Sequence, residues 1–190
     1  MVEAHAAVTP ARERILEAAE RVVTDVGAAR LTLDLVAQTA GVSKGGLLYH
    51  FPSKESLLGA LAQRYVDTMQ HCIDSAKADL HESDKGRELK ACIIGVLGED
   101  PRSKAMGAAL LAAASNDLAL LEVIRERIAH YTKELETSGA DFPRAAVVSL
   151  AVDGLKLRES LRISPFTAAQ RAQIVEELLK VADESFAKIR

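Results

Sequence analysis

The chain has 190 residues, a formal net charge of −3 at pH 7, 48% hydrophobic residues, 4% aromatics and no tryptophan. That length suits a small domain plus a larger one, on a prior of roughly 100–200 residues per domain, and the slightly acidic balance excludes a generally basic nucleic-acid coat. No apolar run reaches the roughly 18 residues of a membrane span, and residues 1–9 are too short and mixed for a signal peptide.

Thr9-Pro10 pairs an N-cap residue with a proline suited to a first helical turn. Ile15, Ala18, Ala19, Val22, Val23 and Val26 then keep helical spacing up to Gly27. A second, short helix is expected over about Leu33–Ala40. Thr32 can cap it, because its hydroxyl accepts from free N–H groups of the first turn. Leu33, Val36, Ala37 and Ala40 give its buried stripe. Gly41 stands where a left-handed residue ends a helix, and Val42 turns back toward the core. Ser43 caps a third helix over about Lys44–Phe51, which Pro52 stops. Leu47 and Phe51, four residues apart, pin that helix to the domain.

Two helices joined by so tight a turn form a helix-turn-helix, whose second helix can enter a DNA major groove. Its outer side presents Lys44, Gly45, Gly46, Tyr49 and His50. Gly45-Gly46 costs the helix roughly 2 kcal/mol against alanine, which suits a surface that must come close to a phosphate or a base edge. The basic signal is local. Residues 1–55 hold six Lys/Arg against seven Asp/Glu, yet positions 35–54 hold two lysines, a histidine and no acid. Modest non-specific affinity and a shaped, dimeric contact follow.

The stretch GVSKGGLLYHFPSKESLL, residues 41–58, with RERILEAAERVVTDVGAARLTLDLVAQTA before it, resembles the TetR family of bacterial transcriptional regulators. The likeness covers about the first third of the chain. LAVDGLKLRESL, residues 150–161, resembles a C-terminal dimerisation helix of that family more weakly. The resemblance implies DNA-backbone contacts from Thr32, Tyr49 and His50, and base reading from Ser43, Lys44, Gly45 and Gly46. Lys54, at the start of the next helix, is expected on a phosphate. The family commonly has an aromatic after the leucine of the recognition helix; here Leu48 fills that position and the tyrosine is Tyr49.

A long helix is expected from Ser53 to about Asp79, with Leu57, Leu58, Leu61, Tyr65, Met69, Cys72, Ile73 and Ala76 at helical spacing. At ~1.5 Å per residue it spans about 40 Å and can join the DNA head to a second core. Further helices are expected over Arg87–Gly98, Lys104–Ser115 after an interruption at Pro101-Arg102-Ser103, 118–137, Pro143–Arg162, and from Thr167 to about Lys188. No alternating strand pattern appears, so the fold class is all-α with about nine helices. Residues 1–52 are read as the DNA-binding domain and 53–190 as an effector-binding and dimerisation domain.

The small-residue segment Ala105–Ala114 either packs tightly or leaves room for a ligand. A pocket lined by Met69, Cys72, Ile73, Met106, Leu110, Asn116 and Tyr131 would suit an apolar or amphipathic molecule. All of these are equally good core residues. The dimer face is expected on the last two helices, through Val147, Leu150, Ala151, Gly154 and Leu155, and through Ile174, Leu178 and Val181. The resemblance implies a four-helix bundle about a two-fold axis, and hence a near-palindromic operator.

No GxSxG, Walker loop, HExxH or CxxC occurs, which speaks against an enzyme. His71, His81 and His130 lack metal-ligand spacing, and no cofactor is expected. Cys72 and Cys92 read as buried free thiols of a cytoplasmic protein. The function expected is a ligand-responsive repressor with double-stranded DNA, a small-molecule effector and a second copy as partners, and no membrane. The alternative is a constitutive DNA-binding or protein-interaction module whose C-terminal part only dimerises.

Overall fold

A computed structural model of the chain describes residues 10–98, 100–114 and 118–186. Its helices are α1 Ala11–Val26, α2 Leu33–Ala40, α3 Lys44–His50, α4 Lys54–Asp79, α5 Arg87–Leu97, α6 Pro101–Ala114, α7 Glu122–Thr137, α8 Phe142–Ser160 and α9 Ala168–Glu184. Short 3₁₀ turns cover Ala28–Arg30 and Leu118–Leu121. Among the described residues there is no strand.

The helix starts obey local chemistry. Thr32 Oγ1 accepts from Leu35 N at 3.2 Å, and Ser43 Oγ accepts from Gly46 N at 3.1 Å. Gly41 ends α2 at φ 65°, the left-handed conformation expected of it. Pro10 itself caps α1, its carbonyl accepting from Glu13 N and Arg14 N; Thr9 lies outside the described residues. Ser53 and Ser56 cap α4 reciprocally, as do Thr167 and Gln170 at α9.

Two expectations need correcting. Pro101-Arg102-Ser103 does not interrupt a helix; it is the first turn of α6. Asp100 Oδ1 accepts from Arg102 N at 2.7 Å and Ser103 N at 3.1 Å, and proline at the first position loses no helical bond. The helix expected over 118–137 is in two parts, a 3₁₀ turn and then α7 from Glu122.

Two apolar cores lie along α4. The first joins Ile15, Ala19 and Val23 of α1, Val36 of α2, Leu47 of α3, Leu57 and Leu61 of α4, and Met106 and Leu110 of α6. It therefore draws on both sides of the boundary expected at 52/53. The second joins Ile73 of α4, Leu89 and Ile93 of α5, Leu135 of α7, Val148, Val152 and Leu155 of α8, and Leu178 and Ala182 of α9. Met69 packs against both. At about 1.5–3 kcal/mol for each large apolar side chain removed from water, each core is a substantial source of stability, and α4 belongs to both.

Candidate nucleic-acid interface and effector cavity

The outer face of α3 is built from residues the fold does not use. Leu47 is fully buried, and around it Lys44, Gly45, Gly46, Leu48 and Tyr49 are exposed. Tyr49 is 85% exposed, with its ring edge-on to His50 at 5.1 Å between centroids. A methyl group at Gly45 would meet nothing within 4 Å, and one at Gly46 only the Ser43 hydroxyl, at 3.2 Å. The protein's own packing thus gives no reason for the Gly45 vacancy.

Two lysines of this face have partners the sequence did not suggest. Lys44 Nζ pairs with Asp34 Oδ1 at 2.9 Å, and both side chains are well exposed. Such pairs contribute about 0–1 kcal/mol, so the ammonium can be taken over by a stronger anion. Lys54 Nζ donates to the Ala29 carbonyl at 3.3 Å, tying the start of α4 to the first 3₁₀ turn. Thr32 Oγ1 is engaged in its cap.

Arg64 bonds α4 to α1, with its guanidinium 2.6 Å from Glu13 Oε1 and 2.9 Å from Glu20 Oε1. Burial pushes the Glu20 carboxyl above its ordinary range against the pull of Arg64. Nothing in the local sequence marks this pair of contacts, because they cross between helices.

A cavity of about 220 Å³ opens between α4, α5, α6, α7 and α8. Met69 and Ile73 line it as expected from the sequence. Met106 and Leu110 do not, being buried in the first core; the wall of α6 is made by Gly107, Ala108 and Leu111 instead. Helical phase decides this: one residue along α6 turns a side chain by roughly 100°. Cys72 is half-buried and does not line the cavity, and Asn116 lies outside the described residues. Tyr131 also stays out of the lining. Its hydroxyl is buried beside Cys92, and burial raises the pKa of both groups. Both cysteines are free, and only Cys92 is fully buried. Arg127, Asp153 and Lys156, which the sequence reading passed over, are charged residues of the lining. An Asp–Lys pair three apart within the apolar run AVDGLKL of α8 was the available signal.

The residues expected at the dimer face divide in two. Val147 is 63% and Leu150 70% exposed, and Ala151 is exposed beside them. Gly154 has open space where a side chain would be. Leu155 and Leu178 are instead buried in the second core, and Ile174 and Val181 are half-buried against it. Helix α8 carries two apolar stripes, and Leu155 belongs to the inward one. Leu157, Leu161 and Ile163 extend the exposed set.

Among the described residues, no His/Cys/Asp/Glu group could hold a metal and no helix is long and apolar enough to cross a membrane.

Comparison with known proteins agrees with this geometry. The family model "Bacterial regulatory proteins, tetR family" matches residues 15–61, and "Tetracyclin repressor-like, C-terminal domain" matches residues 86–183. The HTH-type transcriptional regulator BetI of Rhizobium meliloti (strain 1021) is 26% identical over 177 residues, 87% of this chain and 86% of BetI. The regulator TtgR of Pseudomonas putida is 33% identical over 95 residues, 49% of this chain and 45% of TtgR. A TetR-family structure from Streptomyces coelicolor A3 superposes with a TM-score of 0.70 at 26% identity, covering 88% of this chain and 97% of that one. The multidrug binding protein EbrR, solved with ethidium, superposes with a TM-score of 0.66 at 26% identity, covering 89% and 98%.

Proposed function

The chain belongs to the TetR family of bacterial transcriptional regulators, and from that premise we propose that it is a dimeric repressor which releases a near-palindromic operator when a small apolar or amphipathic molecule enters its cavity. The observation that carries this reading is the double membership of α4. Leu57 and Leu61 sit in the core beneath the recognition helix, while Met69 and Ile73 wall the cavity. A ligand that displaces the middle of α4 thereby moves the surface that α3 presents.

Residues 1–52 form the DNA-reading unit in this proposal, and 53–190 the effector and dimer unit. Gly45 and Gly46 admit the groove, Ser43 and Lys44 face base edges, and Thr32, Tyr49, His50 and Lys54 hold the DNA backbone. The exposed stripe Val147, Leu150, Ala151 and Gly154 packs on its copy in a second protomer. The two-fold sets the recognition helices on successive major grooves. EbrR, similar along most of its length, holds ethidium, which supports a small organic molecule as effector here. The site of action is the cytoplasm, where operator DNA lies. A ligand shifts the balance only by binding the released state more tightly than the DNA-bound one.

Selection of bound duplexes from random DNA tests the proposal. A near-palindrome should be enriched, and Lys44→Ala should relax one position of it by about 1–3 kcal/mol. No enrichment by the wild-type chain, or an equal loss on all sequences in the variant, would count against it.

A further inference from the structure

Arg127 lines the cavity from α7, and its Nη1 is buried with no hydrogen-bond partner among the described residues. The Glu134 carboxylate is 3.9 Å from that nitrogen, beyond hydrogen-bond range, and is itself more than half exposed. The guanidinium also lies over the Tyr131 ring, 5.8 Å from its centroid. That contact supplies no hydrogen-bond acceptor to Nη1. A guanidinium stays charged at any working pH. A desolvated N–H without an acceptor is costly, so an acceptor brought from outside is strongly favoured there.

Beside Arg127 the lining carries one further cation and one acid. Lys156 of α8 also lines the cavity, with Nζ 5.1 Å from the Tyr65 ring centroid and 3.5 Å from Met69 Sδ. Asp153 is the single acid of the lining, against Arg127 and Lys156. Burial raises its carboxyl above the ordinary range while Lys156 opposes the shift. Apart from Gln70 and Ser160 the remaining walls are largely apolar, with Val66, Met69, Ile73, Val96, Leu111 and Ile128 among them. Gly107 keeps space beside the aromatic end, since a methyl group there would come within 2.5 Å of the Tyr65 hydroxyl. At about 220 Å³ the space is smaller than the pockets of drug-sized ligands, which run roughly 300–1,000 Å³.

We infer that the effector is a small organic anion, an apolar body of one ring or a short chain bearing a single carboxylate-like group, seated with that group on Arg127. The inference rests on the cavity's being the effector site. It narrows an apolar or amphipathic ligand to one sign of charge and one anchor.

Calorimetric titration of the full chain with matched probes tests it: phenylacetate and octanoate, their neutral amides, and phenethylammonium and octylammonium. At least one anion should bind about ten- to hundredfold more tightly than its amide, the range a hydrogen bond to a charged group gives, and the cations more weakly still. Arg127→Met should abolish the preference, bringing each anion down to no more than the affinity of its amide. Without ligand it should melt no lower than wild type, because it removes an unanswered buried group. Overturning results are an amide or cation binding as tightly as its anion, no anion binding at all, a preference that survives in Arg127→Met, or a variant that melts early. Operator binding is followed separately. An anion that binds through Arg127 without releasing DNA would refute ligand-controlled repression and leave the ligand class standing.

Discussion

Helices α3 and α8 each have a buried and an exposed side, but the exposed sides differ in kind. Helix α3 buries Leu47 and turns glycine, lysine and tyrosine to solvent. Helix α8 buries Val148, Val152 and Leu155, yet turns Val147 and Leu150 outward. The head has buried most of its large aliphatic side chains within one protomer, with Val26 and Leu48 left partly exposed. The C-terminal bundle leaves Val147 and Leu150 well exposed, the face that the proposed dimer would cover. Under the proposed function, the one surface meets a charged, grooved partner and the other a second apolar face.

The largest expected effect comes from breaking the second surface. Leu150→Glu should leave helicity unchanged but convert the protein to a monomer in sedimentation velocity. It should also lose about 10²–10⁴ in operator affinity, the usual worth of linking two binding modules. A dimer that persists would show that the face is not the interface. A somewhat smaller effect follows from Leu47→Ala, which should cost about 2–5 kcal/mol of stability by opening a cavity under α3, measured by chemical denaturation. Sedimentation should still give a dimer; dissociation would show that the two regions are not separable.

The smallest effect concerns what holds the C-terminal helices in register. Glu159 of α8 accepts from Lys104 of α6 at 2.8 Å and from Arg171 of α9 at 2.6 Å, and Arg171 also donates to the Leu97 carbonyl at 2.6 Å. Burial raises the Glu159 pKa, but the hydrogen bonds and charges of Arg171 and Lys104 outweigh it and hold the group below its ordinary 4.5. A carboxyl lowered on folding adds stability above its unfolded pKa, and that contribution is lost as pH falls through the lower folded value. Glu159→Gln should therefore cost about 1–2 kcal/mol near neutrality and lose less than wild type on acidification below 4.5. Equal melting temperatures of the two proteins at neutral pH would show that the cluster is not stabilising.

What could be read in the sequence was mostly local. Thr32, Gly41, Ser43, Ser53 and Thr167 mark helix ends through contacts three or four residues away, so the bounds of α2, α3 and α4 are close to those expected. Asp100 could have been read the same way, because Asp-Pro is a cap followed by a first-turn proline, and overlooking it shortened α6. The cavity was less legible. Small and apolar residues of α6 fit a core and a ligand wall equally well, and the choice between Leu110 and Leu111 turns on which neighbour each faces. Lys44–Asp34 and Arg64–Glu13–Glu20 join residues from different helices, and no spacing in the chain announces them.

The chain by itself determined an all-α architecture, a capped helix-turn-helix with a glycine-fronted recognition helix, and a long helix leading away from it. These are consequences of i→i+3 and i→i+4 chemistry, which the order of residues specifies directly. Tertiary packing alone decided that α4 serves two cores, that α6 belongs partly to the head, which stripe of α8 stays outside, and that Arg127 lines the cavity with its Nη1 buried and without a hydrogen-bond partner among the described residues. Each of these depends on the side of a helix that its neighbours cover, and neighbours are set by the closure of the whole bundle.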